Sequence, residues 1–408
     1  MTATHRADTA RGAPAPRGRA LAVVGALYLV ANTGYSFFFL TLGTILLAGD
    51  VPLGAVAAIN MLGAVYFLRF LTAPIVDRAR PSRFGRYRGW LLLTQPPLVA
   101  TLAALAALDP VADLPPLLAL TIVFLGLSVF HDTALNGLVV RLLPRSEHGV
   151  GNGVQMASAS ASLLIGSSGA LLLYSHAGWT VTLLALAAVY LVPLTVLTRI
   201  PEPPEPDGPD PAAPRPPLLG ALFRDRRAAA WALLVIPAFA VSEWLATAVQ
   251  PAMLLSAGWS TDRIALVASA ATGAQVVAAL ATGAAVTRYG RARPPLVMAV
   301  LGVAGVAALL PLAAGHAPLV PTLAAMTLVS IVYGAKVTWI AATSMTLARP
   351  ASAATDYTVP MAIEGIFVTV AGSAALGLAA AAGFTWTIAL AAVLAVAGAV
   401  IGPRWRTT

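Results

Sequence analysis

Apolar runs of about 18 or more residues recur from one end of this chain to the other, and each is long enough to cross a hydrocarbon core of about 30 Å as a helix. The runs are continuous and do not alternate, which excludes strands as the spanning element, since a barrel strand switches face at every residue. Composition agrees: of 408 residues 59% are hydrophobic and 10% charged, against about 25% charged in a soluble domain. Lipid is the solvent for most of this chain.

Hydropathy separates twelve candidate helices, near 20–46, 55–76, 90–108, 117–140, 153–175, 179–199, 228–255, 264–286, 295–314, 319–346, 358–382 and 384–402. The first has a long apolar stretch containing Asn32, Thr33 and Gly34, unlike the short core and small-residue cleavage site of a secretory signal. With the amino terminus inside, 22 arginines fall in inner segments and only Arg263 in an outer loop, so the positive-inside rule predicts both termini in the cytoplasm. The formal charge of +9 is thereby spread over loops at one face, which does not suit a nucleic-acid partner. Pro201 to Arg227 is too polar and too proline-rich to span, and reads as a solvated linker. It divides the chain into residues 1–200 and 228–408, six helices each, joined by 201–227. The loop after helix 2, Val76-Asp77-Arg78 with Gly85-Arg86-Tyr87-Arg88, has a shortened echo after helix 8 in Val286-Thr287-Arg288-Tyr289-Gly290-Arg291-Ala292-Arg293. Two parallel repeats are expected from that echo.

Five ionisable residues remain inside helices: Arg69, Asp132, Glu243, Lys336 and Glu364. Each costs at least about 2.5–3.5 kcal/mol at membrane depth, so each needs a reason to be there. One reason is interhelical ion pairing that merely holds the bundle. A functional reason is suggested by helical spacing, which extends each charge into a polar face: Ser128, Asp132 and Asn136 on helix 4; Phe239, Glu243, Thr247 and Gln250 on helix 7; Tyr333, Lys336 and Thr343 on helix 10; Tyr28, Asn32 and Tyr35 on helix 1. If these helices line a central cavity, Asp132, Glu243 and Lys336 are expected to converge on one water-accessible chamber. A buried carboxylate there can load and release a proton as access alternates.

Other chemistries are poorly served. Without a cysteine there is no disulfide, thiolate or Cys-based metal site, and five scattered histidines do not make a zinc spacing. His131 reads as a polar side chain of the helix-4 packing rather than a proton relay. The glycine-rich segment Gly149-Val150-Gly151-Asn152-Gly153 lacks the lysine of a phosphate-binding loop, because Lys336, the only lysine, lies in a membrane helix. A membrane-embedded enzyme using Mg²⁺ would need clustered acids, and the nearest pair, Asp109 and Asp113, falls in an outer loop. No metal, no cofactor and no catalytic residue is expected, and the chain is not read as an enzyme.

Arg69-Phe70-Leu71-Thr72-Ala73-Pro74-Ile75-Val76-Asp77-Arg78, followed by Phe84-Gly85-Arg86-Tyr87-Arg88-Gly89-Trp90, resembles the helix 2–3 signature of the muropeptide permease group of the major facilitator superfamily, which bacterial siderophore permeases share. His131-Asp132, Leu142-Leu143-Pro144, Gly151-Asn152-Gly153-Val154-Gln155 and Thr355-Asp356-Tyr357-Thr358 also fit that group. The resemblance covers nearly the whole chain. It implies a twelve-helix fold of two six-helix bundles, and gating roles for Arg69, Asp77, Arg78, Arg86 and Arg88. The group often carries a second acid after the helix-4 Asp, an arginine in helix 5 and a lysine before the helix-7 acid; here Asn136, Ser160 and Ala240 stand in those places, and Lys336 is outside the pattern.

The expectation is therefore a monomeric secondary transporter in a bacterial inner membrane, moving an organic solute with a proton or other coupling ion, by uptake of a siderophore-like or muropeptide-like molecule. The alternatives are a drug or natural-product exporter of the same fold and an assembly factor that moves nothing. Asp132, Glu243, Lys336, Asn136, Asn32, Tyr35, Thr247, Gln250 and Glu364 are the expected solute and proton pathway.

Overall fold

The computed structural model describes residues 17–51, 69–198, 202–203 and 222–402. The first part of the second expected span, 55–68, the body of the proline-rich insertion, 204–221, and the expected cytoplasmic termini lie outside the described residues. Every regular element described is helical, and Ser82 and Gly85 make only an isolated bridge between two helices.

Helix α1 runs Arg17–Ser36 and continues through a π-turn, Phe37–Thr41, into Leu42–Ala48. α2 is described over Arg69–Arg78, α3 over Tyr87–Leu105 and α4 over Leu114–Leu142. α5 begins at His148–Leu164 and passes through a π-turn, Ile165–Gly169, into a helix that breaks at Gly178. Gly178 has φ 79°, a left-handed value that only glycine takes without strain; α6 follows over 179–197. α7 comprises Arg226–Ala230, the π-turn Trp231–Val235 and Ile236–Ser256. Then come α8 (Thr261–Tyr289), α9 (Pro294–Ala307), α10 (Leu319–Leu347), α11 (Ala353–Ala382) and α12 (Phe384–Ile401).

Nine helical stretches among the described residues are long and apolar enough to cross a membrane, one of them being α5 and α6 counted together. Prolines inside helices (Pro74, Pro96, Pro97, Pro193, Pro251 and Pro360) are tolerated because neighbouring helices restore the freed backbone bonds. Polar side chains close their own turns in the same way: Thr33 donates to the Leu29 carbonyl and Thr338 to that of Gly334. Large apolar residues such as Leu71, Leu172, Leu234, Val320 and Val393 are exposed on the outer faces, as a lipid-facing surface requires.

Packing follows two groups. α1 packs on α5 and α6, and α3 on α4 and α6; α7 packs on α11 and α12, and α10 on α8 and α9. The groups meet through α5 with α8 and α10, and through α11 with α2 and α4. Where α5 meets α8 the backbones nearly touch: a Cβ on Gly149 would lie 2.5 Å from the Gly283 carbonyl oxygen. One end of the molecule carries Arg78 to Arg88, Arg141, Arg145, Arg224 to Arg227, Arg288 to Arg293 and Arg349; it is called the arginine-rich end below. In the turn between α3 and α4, at the opposite end, Asp109 accepts from Val111 N and Ala112 N, which holds its carboxyl below the usual carboxylate range. Asp113 accepts from Asp109 N. The two acids thus serve the loop backbone.

Candidate functional site

A cavity of ≈ 100 Å³ lies where α1, α2, α4 and α5 face α10 and α11. Spacing along each helix puts its members on one face: Tyr28 and Asn32 on α1, Asp132 and Asn136 on α4, Asn152, Gln155, Met156 and Ala159 on α5. From the other group come Val337, Thr338 and Ala341 on α10, with Tyr357 and Met361 on α11. Tyr28 donates its hydroxyl to Asn136 Oδ1 at 2.8 Å, and Asn136 Nδ2 donates to Thr358 Oγ1 at 3.3 Å, so one hydrogen-bonded chain crosses the cavity floor from α1 to α11. The Tyr357 hydroxyl lies 3.0 Å from Asn152 Oδ1 and 2.9 Å from Gln155 Oε1, positioned to donate to either. Asp132 is 7% exposed, and its carboxylate has no hydrogen-bond partner among the described residues. Burying a carboxylate is costly unless a partner meets it.

Two expectations need correcting. Arg69, expected at the gate, lines this cavity, where Nη2 donates to the Met361 carbonyl at 3.4 Å. Its place at the start of the described part of α2, nine residues from Arg78, carries it away from the arginine-rich end. The second correction concerns Glu243 and Lys336, which do not join Asp132 in one chamber. Lys336 Nζ is 2.6 Å from Glu243 Oε1, the two side chains are 1% and 0% exposed, and Ser242 donates to Glu243 Oε2 at 2.7 Å. The ammonium lies 4.4 Å from the centre of the Phe239 ring, and any Cβ on Gly302 of α9 would collide with the pair. The polar face of α7 therefore turns inward to α9, α10 and α12, where Phe239 meets Trp339 edge to face and Thr247 donates to the Glu243 carbonyl. Gln250 is buried in the same interior, with Nε2 unbonded among the described residues.

The remaining expected residues are more scattered. Tyr35 stacks on Phe39 one turn beyond Asn32. Glu364 is buried on α11, its Oε1 unbonded among the described residues. His131 places Nδ1 3.0 Å from Thr94 Oγ1 in the α3–α4 interior, as a packing role predicts.

At the arginine-rich end the groups are tied together. Asp77, at the end of α2, accepts from Ala354 N at 3.1 Å and Thr355 N at 2.7 Å, the first amides of α11, and from the Tyr87 hydroxyl at 2.6 Å. A carboxylate at a helix amino terminus meets the positive end of its dipole. Arg86 Nη1 donates to the Ala351 carbonyl at 3.0 Å, also across the groups. Arg88 does not cross: Nε and Nη2 donate to the Leu197 and Thr198 carbonyls at the end of α6. Arg78 is exposed. On the other side of the seam Thr287 Oγ1 accepts from Val150 N at 3.0 Å. Within the first group, Glu202 pairs with Arg141 at 2.8 Å, both side chains 4% exposed, and accepts from Arg88 N at 2.9 Å.

Comparison with known proteins adds three findings. The family model described as Major Facilitator Superfamily matches residues 21–359. The anhydromuropeptide permease of Escherichia coli (strain K12) is 32% identical over 130 residues, 32% of this chain and 26% of that protein; the putative transporter AmpG 4 of Rickettsia felis is 25% identical over 171 residues, 41% of each. The chain thus spans about a quarter to two fifths of the length of these curated relatives. Among solved structures, the Escherichia coli fucose:proton symporter superposes with TM-score 0.70 at 15% identity over 95% of this chain and 98% of that one. The human organic anion transporter TETRAN does so with TM-score 0.73 at 15% identity over 95% and 99%.

Proposed function

The chain belongs to the major facilitator superfamily and is a multi-pass membrane transporter rather than an enzyme; on that premise we propose that it is a proton-coupled secondary transporter importing a muropeptide-like or siderophore-like solute. Residues 1–200 and 228–408 form two six-helix bundles, joined by a linker over 201–227, with twelve spans and both termini in the cytoplasm of a bacterial inner membrane. The arginine-rich end is then cytoplasmic, and the ties from Asp77 and Arg86 to α11 hold the inner gate closed. The protein acts as a monomer.

One observation carries the proton reading: the Asp132 carboxylate, buried in the cavity between the bundles without a hydrogen-bond partner among the described residues. A carboxylate so placed exchanges a proton with whichever side of the membrane the cavity opens to. Support for a muropeptide-like solute is the likeness to the anhydromuropeptide permease, 32% identical over 130 residues. The test is uptake of an anhydromuropeptide into proteoliposomes under an imposed pH step. Native protein accumulates it, whereas Asp132→Asn loses accumulation and keeps exchange down the solute's own gradient once the solute concentration is raised to saturate the variant. Unimpaired accumulation by the variant would remove Asp132 from the proton path.

A further inference from the structure

Helices α4 and α10 have 29 residues each, and both their ends stand 205 positions apart: 114 and 319, 142 and 347. The same displacement relates the 3₁₀ turns Arg145–Glu147 and Pro350–Ser352, the first residues of α5 and α11, and the left-handed glycines Gly178 and Gly383. Positions 205 apart are therefore equivalents in the two repeats from α4 onward. The cavity is built from such pairs: Asp132 with Val337, Asn136 with Ala341, Asn152 with Tyr357, and Met156 with Met361. Tyr357 and Asn152 meet at 3.0 Å, as residues flanking a twofold axis through the cavity must.

The equivalent walls differ in chemistry. On α4 the cavity meets a carboxylate and a carboxamide; on α10 the same two positions present an isopropyl and a methyl group. Thr338 offers the cavity no donor, because its hydroxyl proton is given to the Gly334 carbonyl at 2.8 Å. The Tyr357 hydroxyl of α11 is turned to Asn152 and Gln155 across the axis. The charged groups of the cavity, Arg69 and Asp132, thus both belong to the first bundle, opposite an apolar wall of Val337, Ala341 and Met361.

We infer that the cavity takes an amphipathic solute, its head bearing a carboxylate for Arg69 and an N–H or O–H donor for Asp132, its apolar face laid on Val337, Ala341 and Met361; this rests on the transport reading above. An N-acylated amino acid is the simplest molecule with that layout.

The experiment is calorimetric titration of the full chain in nanodiscs with N-acetyl-, N-propionyl- and N-butyryl-alanine. Each added methylene is expected to tighten binding about fourfold. Val337→Asn should flatten the series, weakening the butyryl probe most and the acetyl probe least, and Asp132→Asn should weaken all three probes alike by about tenfold or more. If Val337→Asn fails to fold, Ala341→Ser makes the same test. A flat series in the native protein, a slope unchanged by both wall variants, or no binding by protein that accumulates an anhydromuropeptide would each overturn the inference. Binding with the expected slope in protein that accumulates nothing would uphold the cavity chemistry and fail the transport reading instead.

Discussion

Lys336 and Glu243 are sealed from both lipid and cavity, so their value to the molecule is measured by what remains when one is removed. Glu243→Gln leaves a buried ammonium uncompensated and should destabilise the purified protein by about 3–5 kcal/mol. Lys336→Met should cost a similar amount by stranding the carboxylate. The double substitution Glu243→Leu with Lys336→Met removes both charges, and it should recover most of the loss, because a well-packed apolar pair is often as stable as a buried ion pair. Thermal unfolding of the three variants in one detergent checks this; a double variant no better than the singles would mean the pair does more than compensate itself. That these residues carry a costly charge was legible in the sequence, since each interrupts an apolar run. Their facing was not: helical spacing groups Phe239, Glu243 and Thr247 on one side of α7 but leaves open which neighbour that side meets. Gly302 holds part of the answer, a missing side chain on α9 that makes room for the pair, and a lone glycine in an apolar helix carries no such message in one dimension.

At the level of elements, the seam at the arginine-rich end is built twice with different chemistry. Asp77 of α2 accepts from Thr355 N of α11, and Thr287 of α8 accepts from Val150 N of α5, Val150 and Thr355 being equivalents 205 positions apart. One side is held by a carboxylate on a helix dipole and the other by a neutral hydroxyl. Asp77→Asn should therefore weaken the closed gate by about 1–2 kcal/mol, up to about thirtyfold in its opening equilibrium, and Thr287→Val by about 0.5–1.5 kcal/mol. The chain has no cysteine, so Ala341→Cys introduces a single thiol at the cavity. Its alkylation by an impermeant maleimide in inverted vesicles should quicken in both gate variants, more in Asp77→Asn; equal, unchanged rates would contradict the seam's role. The helices α4 to α6 and α10 to α12 were readable as apolar runs, yet their common register was signalled by something smaller. Gly178-Trp179-Thr180-Val181-Thr182 and Gly383-Phe384-Thr385-Trp386-Thr387 repeat a glycine and two threonines, and Thr180 and Thr385 donate to the Ala106 and Ala313 carbonyls at corresponding turns.

For the whole molecule, twelve spans with both ends inside make a plain expectation. Reporter fusions at residues 12 and 405 should be active only for a cytoplasmic reporter, and fusions at 111 and 316 only for an external one; the reverse pattern, or opposite sides for the two termini, would defeat the topology. The arginine asymmetry is the feature of the sequence on which this expectation rests; at the end away from the arginines, Asp109 and Asp113 serve only their own loop. The cavity was less legible, because its walls come from helices far apart in the chain and its members Asn152, Gln155 and Tyr357 are ordinary polar residues until α5 and α11 are brought face to face.

The bare contact of α5 with α8 has a mechanical meaning. Gly149 and Gly283 meet backbone to backbone, with Gly153 beside Ala279 one turn on. A line of contact this bare, crossed by the Thr287 hydroxyl, has little to disengage when the bundles tilt, so it is expected to act as the axle of the movement, with the Asp77 side as the more widely opening edge. Gly283→Ala would thicken that axle by one methyl group. Transport in both directions should then slow together, with solute affinity and the chemistry of the gate left as they were.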